Sequence, residues 1–137
     1  MDKIEHIGIA VKDPTAAVEL FTRLLGSSPY KTETVESEGV QTIFFQVGET
    51  KIELLAATRV DSPIAKFIEK KGEGMHHIAF QVKDVAKTES ELKEKGFEMA
   101  PGGIRSGADN KLITFLHPKS TDGVLVEICQ EKNYNNE

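Results

Sequence analysis

Alternation of apolar and polar positions is clearest where the chain writes nearly the same octet twice, HIGIAVKD over His6–Asp13 and HIAFQVKD over His77–Asp84. Strand side chains point alternately to the two faces, so Ile7, Ile9 and Val11 share one face and His6, Gly8 and Ala10 the other. In the second copy Ile78, Phe80 and Val82 take the first face, and His77, Ala79 and Gln81 the second. Helical period follows each octet. After Asp13, the run PTAAVELFTRLLG puts Ala17, Val18, Phe21, Leu24 and Leu25 on one helical face, with Asp13 as cap, Pro14 in the first turn and Gly26 as stop. After Asp84, VAKTESELKEKG predicts a more polar helix that stops at Gly96.

The halves then continue alike. VQTIFFQVGETKIELLA and KLITFLHPKSTDGVLVEIC each read as a strand, a turn and a second strand with Glu near its middle. The unit is therefore β-α-β-β-β, written twice, in modules of about residues 1–60 and 73–131. A linking helix over about 62–72 has Ser62 as cap, Pro63 in its first turn, Ile64, Phe67 and Ile68 on one side, and Gly72 as stop. His6 and His77 lie 71 residues apart (77 − 6), and Glu53 and Glu127 lie 74 apart (127 − 53), the near-equal offsets of a duplication.

Alternation in the final strands sets Ile52 and Leu54 against Glu53 and Leu55, and Val126 and Ile128 against Glu127 and Cys129. Each such strand gives its second face one candidate ligand among small or apolar neighbours, as on the concave side of a curled sheet. An unpaired carboxylate buried there costs several kcal/mol or neutralises itself. A cation removes the problem. Two imidazoles and two carboxylates form a mixed nitrogen–oxygen set suited to Zn²⁺, Co²⁺, Mn²⁺, Ni²⁺ or Fe²⁺. His76, next to His77, faces the other way, and His117 in HPKS reads as a loop residue; neither is expected to be a ligand.

Composition narrows the setting. With 137 residues the chain suits one domain, 39% hydrophobic and 28% charged, without Trp. A net charge of −5 advertises neither nucleic acid nor an anionic membrane as partner. The lone Cys129 excludes an internal disulfide and reads as a buried thiol in a reducing, cytoplasmic setting. No leader or membrane-length apolar run is read, and EKNYNNE reads as a frayed tail.

The paired modules, their HIGIAV and HHIAF openings and their Glu-bearing last strands resemble the vicinal oxygen chelate superfamily, which includes glyoxalases, bleomycin resistance proteins and dioxygenases. Within it, IEHIGIAV, KIELL, DSPIAKFIEKKGEGMHHIAF and FLHPKSTDGVLVEI resemble the methylmalonyl-CoA epimerases, over nearly the whole chain to about Gln130. The resemblance implies an α+β fold of two tandem βαβββ modules, a curled mixed sheet around a metal-binding cavity. It implies His6, His77 and Glu127 as metal ligands with Glu53 as a fourth, a divalent ion (Co²⁺, Mn²⁺, Zn²⁺ or Ni²⁺) and no organic cofactor. The implied reaction interconverts the C2 epimers of methylmalonyl-CoA by proton abstraction and return. Negative charge then builds on the thioester oxygen, where a divalent ion acts as Lewis acid and stabilises the enolate.

Inversion needs proton carriers on both faces of the carbon. Glu127 is the first choice and Glu53 another. Some members of the family carry a second acid in the third strand, where EGVQTIFF has Thr42. Glu53, a bound water, Glu36 or Glu38 is each open as its substitute. Thr42, Arg105 in its Gly-rich loop, and Lys119 and Ser120 in HPKS are the expected substrate contacts. A lactoylglutathione lyase or a non-catalytic small-molecule-binding member is the rival reading; the three arginines, Arg23, Arg59 and Arg105, are few for a glutathione site. Exposed sheet edges point to a homodimer.

Overall fold

The computed structural model describes residues 1–132, so residues 133–137 of the expected tail lie outside the described residues. The elements are β1 (Lys3–Ala10), α1 (Pro14–Leu25), β2 (Lys31–Val35), β3 (Val40–Val47), β4 (Thr50–Ala57), α2 (Pro63–Lys71), β5 (Gly74–Gln81), α3 (Val85–Glu94), β6 (Arg105–Gly107), β7 (Lys111–Leu116) and β8 (Val126–Glu131). Short helical turns, Glu36–Glu38 and Pro118–Ser120, interrupt the two halves. The described residues form two compact units: a first of His6–His76, and a second of Met1–Glu5 with the described chain after His76.

The Lys-Asp that closes each octet starts a helix. The Ala16 backbone N–H donates to the Asp13 carboxylate at 3.1 Å, and Lys87 N–H donates to Asp84 at 3.0 Å. Each cap satisfies a donor that the first helical turn leaves orphaned. Gly26 ends α1 in the left-handed region, φ 74°, where glycine has no Cβ penalty. Ser62 caps α2 through the Ala65 N–H, 3.1 Å.

In the first unit the strand order is β2-β3-β4-β1, antiparallel except for the parallel pair β4–β1. Ile9 and Val11 of β1 and Leu54 of β4 pack with Ala17, Val18 and Phe21 of α1, as their alternation demands. The opposite face is also partly covered. Ala10 and Leu55 pack there against Ile64, Phe67 and Ile68, so α2 is a packing element of this unit as well as a connection. His76 belongs to the same layer, edge-on to Phe67 at 4.8 Å.

The second unit repeats the order as β5-β8-β7-β6, with β5 and β8 parallel. Val82, Val85, Leu116 and Ile128 form its helix-side core, and Ala79, Ile113 and Cys129 pack on the other face. Cys129 is buried. The polar α3 is secured by side chains. Val85 N–H donates to the Gln130 side-chain oxygen at 2.9 Å, and the Thr114 hydroxyl to Glu89 at 3.1 Å. Among the described residues no helix is long and apolar enough to cross a membrane.

Candidate metal and substrate site

Glu53 reaches its position through register. On β1 its neighbour is Gly8 and on β3 it is Phe44, and cross-strand partners share a face. Gly8 sets no side chain between Glu53 and His6, which stands two residues earlier on the same face. The His6 Nδ1 lies 3.2 Å from Glu53 Oε2, with the two side chains each 6% exposed.

The second unit builds the same arrangement. Glu127 has Ala79 beside it on β5 and Phe115 on β7. His77, two residues before the small Ala79, brings Nε2 to 3.2 Å from Glu127 Oε1, again with both side chains 6% exposed. Phe115 closes over the imidazole edge-on, ring centroids 5.7 Å apart.

The donor chemistry suits a divalent ion. For metal–ligand bonds of about 2.1 Å, neighbouring ligand atoms sit about 3.0–3.4 Å apart at right-angled to tetrahedral geometry. A simple hydrogen bond has the same length, but burying the same imidazole–carboxylate couple in both units favours ligation. The described residues include His and Glu groups able to hold a metal ion.

Each pair has a cation over its neighbouring aromatic ring. Lys31, opposite Phe44 on β2, holds Nζ 4.9 Å from that ring's centre. Arg105 holds Cζ 5.5 Å from the centre of the Phe115 ring. Its Nη1 also donates to the Gly103 carbonyl at 2.9 Å. Gly102 permits this approach, since a Cβ there would lie 2.6 Å from Nη1.

The remaining expected residues are placed as follows. Thr42 is buried on the same face as Glu53, in the next row of side chains, opposite Leu55. Lys119 Nζ pairs with Glu98 at 3.0 Å, while the Ser120 hydroxyl accepts the Glu98 N–H at 2.9 Å. His117 caps its turn, Nδ1 accepting from Lys119 N–H at 3.2 Å. Glu36 and Glu38 lie in the turn after β2, beyond the rows that carry Glu53 and Thr42.

Two groups escape sequence reasoning. Lys111 is only 4% exposed and faces Glu5, itself 1% exposed, at 3.9 Å, with Asp109 at 3.7 Å and Glu131 at 3.8 Å. In DNK the sequence signals a turn, which Asp109 and Asn110 do form at φ 59° and 56°; nothing local signals a buried ammonium. Glu33 is the other. It stands directly opposite Thr42, a relation legible only once the β2–β3 register is known.

Residues 5–115 match the family model described as the Glyoxalase/Bleomycin resistance protein/Dioxygenase superfamily. The ethylmalonyl-CoA/methylmalonyl-CoA epimerase of Cereibacter sphaeroides is 38% identical, over 93% of this chain and 97% of that one. The mitochondrial methylmalonyl-CoA epimerase of Homo sapiens is 37% identical, over 95% of this chain and 74% of that one. Among solved structures, a single-residue variant of Streptomyces coelicolor methylmalonyl-CoA epimerase in complex with 2-nitronate-propionyl-CoA superposes with a TM-score of 0.91 at 36% identity, covering 96% of each chain.

Proposed function

The chain belongs to the Glyoxalase/Bleomycin resistance protein/Dioxygenase superfamily, and from that premise we propose that it is a divalent-metal-dependent epimerase of methylmalonyl-CoA. The observation that carries the reading is the buried His–Glu pair at equivalent strand positions in both units, 3.2 Å in each, through Nδ1 of His6 and Nε2 of His77. His6, Glu53, His77 and Glu127 are the proposed ligands of a divalent ion, a mixed nitrogen–oxygen set. When bound, that ion supplies positive charge beside the thioester oxygen and lowers the cost of ionising the adjacent carbon.

The chain's own residues do the rest. Glu127 carries a proton to or from C2, its orientation fixed by His77 and the Phe115 ring. Arg105 binds the substrate carboxylate, because its guanidinium is pinned over Phe115 and presents a planar fork to a planar anion. Lys119, exposed on its turn, takes a CoA phosphate, while Ser120 holds that turn in place through Glu98. Thr42 shapes the face beside Glu53. The assignment of the substrate is supported by the two epimerases at 37% and 38% identity and by the 2-nitronate-propionyl-CoA bound to the solved relative.

The test is to incubate metal-analysed protein with racemic methylmalonyl-CoA in deuterated buffer, following deuterium at C2 and epimer interconversion together. Both signals should vanish with chelator and return with Co²⁺ or Mn²⁺. Neither signal from metal-loaded protein would refute the epimerase and direct the assay to methylglyoxal–glutathione adducts.

A further inference from the structure

Gln81 ends β5, and alternation puts it on the same face as His77 and Ala79. Its side-chain oxygen is buried and has no hydrogen-bond partner among the described residues. Such an atom keeps its desolvation cost with no bond to offset it. We infer that the Gln81 carboxamide binds the first amide of the pantetheine arm, next to the thioester, and so selects pantetheinyl thioesters; the inference rests on the epimerase reading above.

The groups around Gln81 are held by other bonds. Its own backbone carbonyl accepts from the Asp2 N–H at 2.8 Å. Cys129, directly opposite on β8, donates its thiol hydrogen to the Phe80 carbonyl at 3.5 Å. Gln130 offers the contrast, since its side-chain oxygen accepts from Val85 N–H at 2.9 Å and holds the start of α3. Among the described residues the Gln81 oxygen holds no such element. The residue is half-buried, and its amide turns readily about the last side-chain torsion, so that oxygen and nitrogen exchange places. One side chain thus presents both an acceptor and a donor. A secondary amide offers the matching donor and acceptor, whereas a carboxylate or a thioester offers acceptors alone.

Spacing selects which amide. Gln81, Cys129, Ile113 and Arg105 form one row across β5, β8, β7 and β6, and Ala79, Glu127 and Phe115 form the row beside it. All seven belong to the second unit. Arg105, proposed above for the carboxylate, leans over Phe115 on β7 with Cζ 5.5 Å from the ring centre. From β7 to β5 is two strand spacings, about 10 Å. An extended methylmalonyl thioester covers about 8 Å from its carboxylate carbon to the first amide nitrogen, and the Gln81 side chain covers the remainder. C2 then falls over β8, the strand that carries Glu127. The second amide of the arm lies about 5 Å farther along, past β5.

Gln81→Met keeps the length of the side chain and removes its amide. Three methylmalonyl thioesters probe it in deuterated buffer, with deuterium entry at C2 giving KM and kcat. Methylmalonyl-CoA and the N-acetylcysteamine thioester carry the first amide; the S-pentyl thioester has an apolar arm of similar length. Gln81→Met should raise KM about tenfold for the two amide-bearing substrates, the worth of one or two neutral hydrogen bonds, with kcat little changed. For the S-pentyl thioester it should raise KM by less than about twofold. Metal content and resistance to urea should be no lower than in wild type, because Met leaves no orphaned acceptor. A KM raised equally for all three substrates, or unchanged for methylmalonyl-CoA, would overturn the role of Gln81. Wild-type protein that labels none of the three would instead refute the epimerase reading, and the role of Gln81 with it.

Discussion

His77 Nε2 and Glu127 Oε1 meet at 3.2 Å inside a face where each side chain is 6% exposed. The pair is interdependent, because a buried carboxylate deprived of its partner keeps its desolvation cost. His77→Ala in chelator-treated protein should lower unfolding free energy by about 3–5 kcal/mol. Replacing both partners, His77→Ala with Glu127→Leu, should cost clearly less than His77→Ala alone. Urea titration of the three proteins decides it; equal losses would show that the pair is not coupled.

Arg105 tests the recognition of the substrate carboxylate. A hydrogen bond to a charged group contributes about 1.5–3 kcal/mol, so Arg105→Ala should raise KM by about tenfold or more and change kcat little. Gly102→Ala should move KM the same way. Its φ of 115° strains any side chain, and the added Cβ would press on Nη1 from 2.6 Å. Steady-state kinetics of both variants would reveal a common effect on KM or its absence.

The helix caps should matter for folding and not for chemistry. Asp13→Ala and Asp84→Ala each remove the acceptor for an N–H at 3.0–3.1 Å and should cost about 1 kcal/mol. Metal content should be unchanged, measured on the same samples as the unfolding curves.

Lys111 gives a sharper stability test. Lys111→Met retains the aliphatic bulk but leaves Glu5, 1% exposed, without its ammonium, at a cost of about 3–5 kcal/mol. Glu5→Leu added to that variant should recover a large part of the loss. Thermal melts of the single and double variants read this directly.

What can be read from the chain alone follows the range of the forces involved. The faces of β1, β4, β5 and β8 are legible because strand alternation is local, and it sorts Leu54 toward α1 and Leu55 away from it. Helix starts are legible because Asp13, Ser62 and Asp84 act within three residues of themselves. Partners set by hairpin register are not. Glu33 opposite Thr42, and Lys111 opposite Glu131, depend on where two strands align, which no single strand encodes. The role of α2 also escapes. Its apolar stripe is plain, but not that Ile64 covers Ala10 and Leu55.

The repeated octet binds two decisions together. In each copy the histidine precedes the capping aspartate by seven residues (13 − 6 and 84 − 77). Were β1 to slide by one position, His6 would turn to the opposite face, and Asp13 would be drawn away from the Ala16 N–H it holds at 3.1 Å. A misaligned strand is thus penalised at both ends, once in a lost His–Glu contact and once in a frayed helix. The octet acts as a proofreading device for its own alignment, and the chain carries two of them.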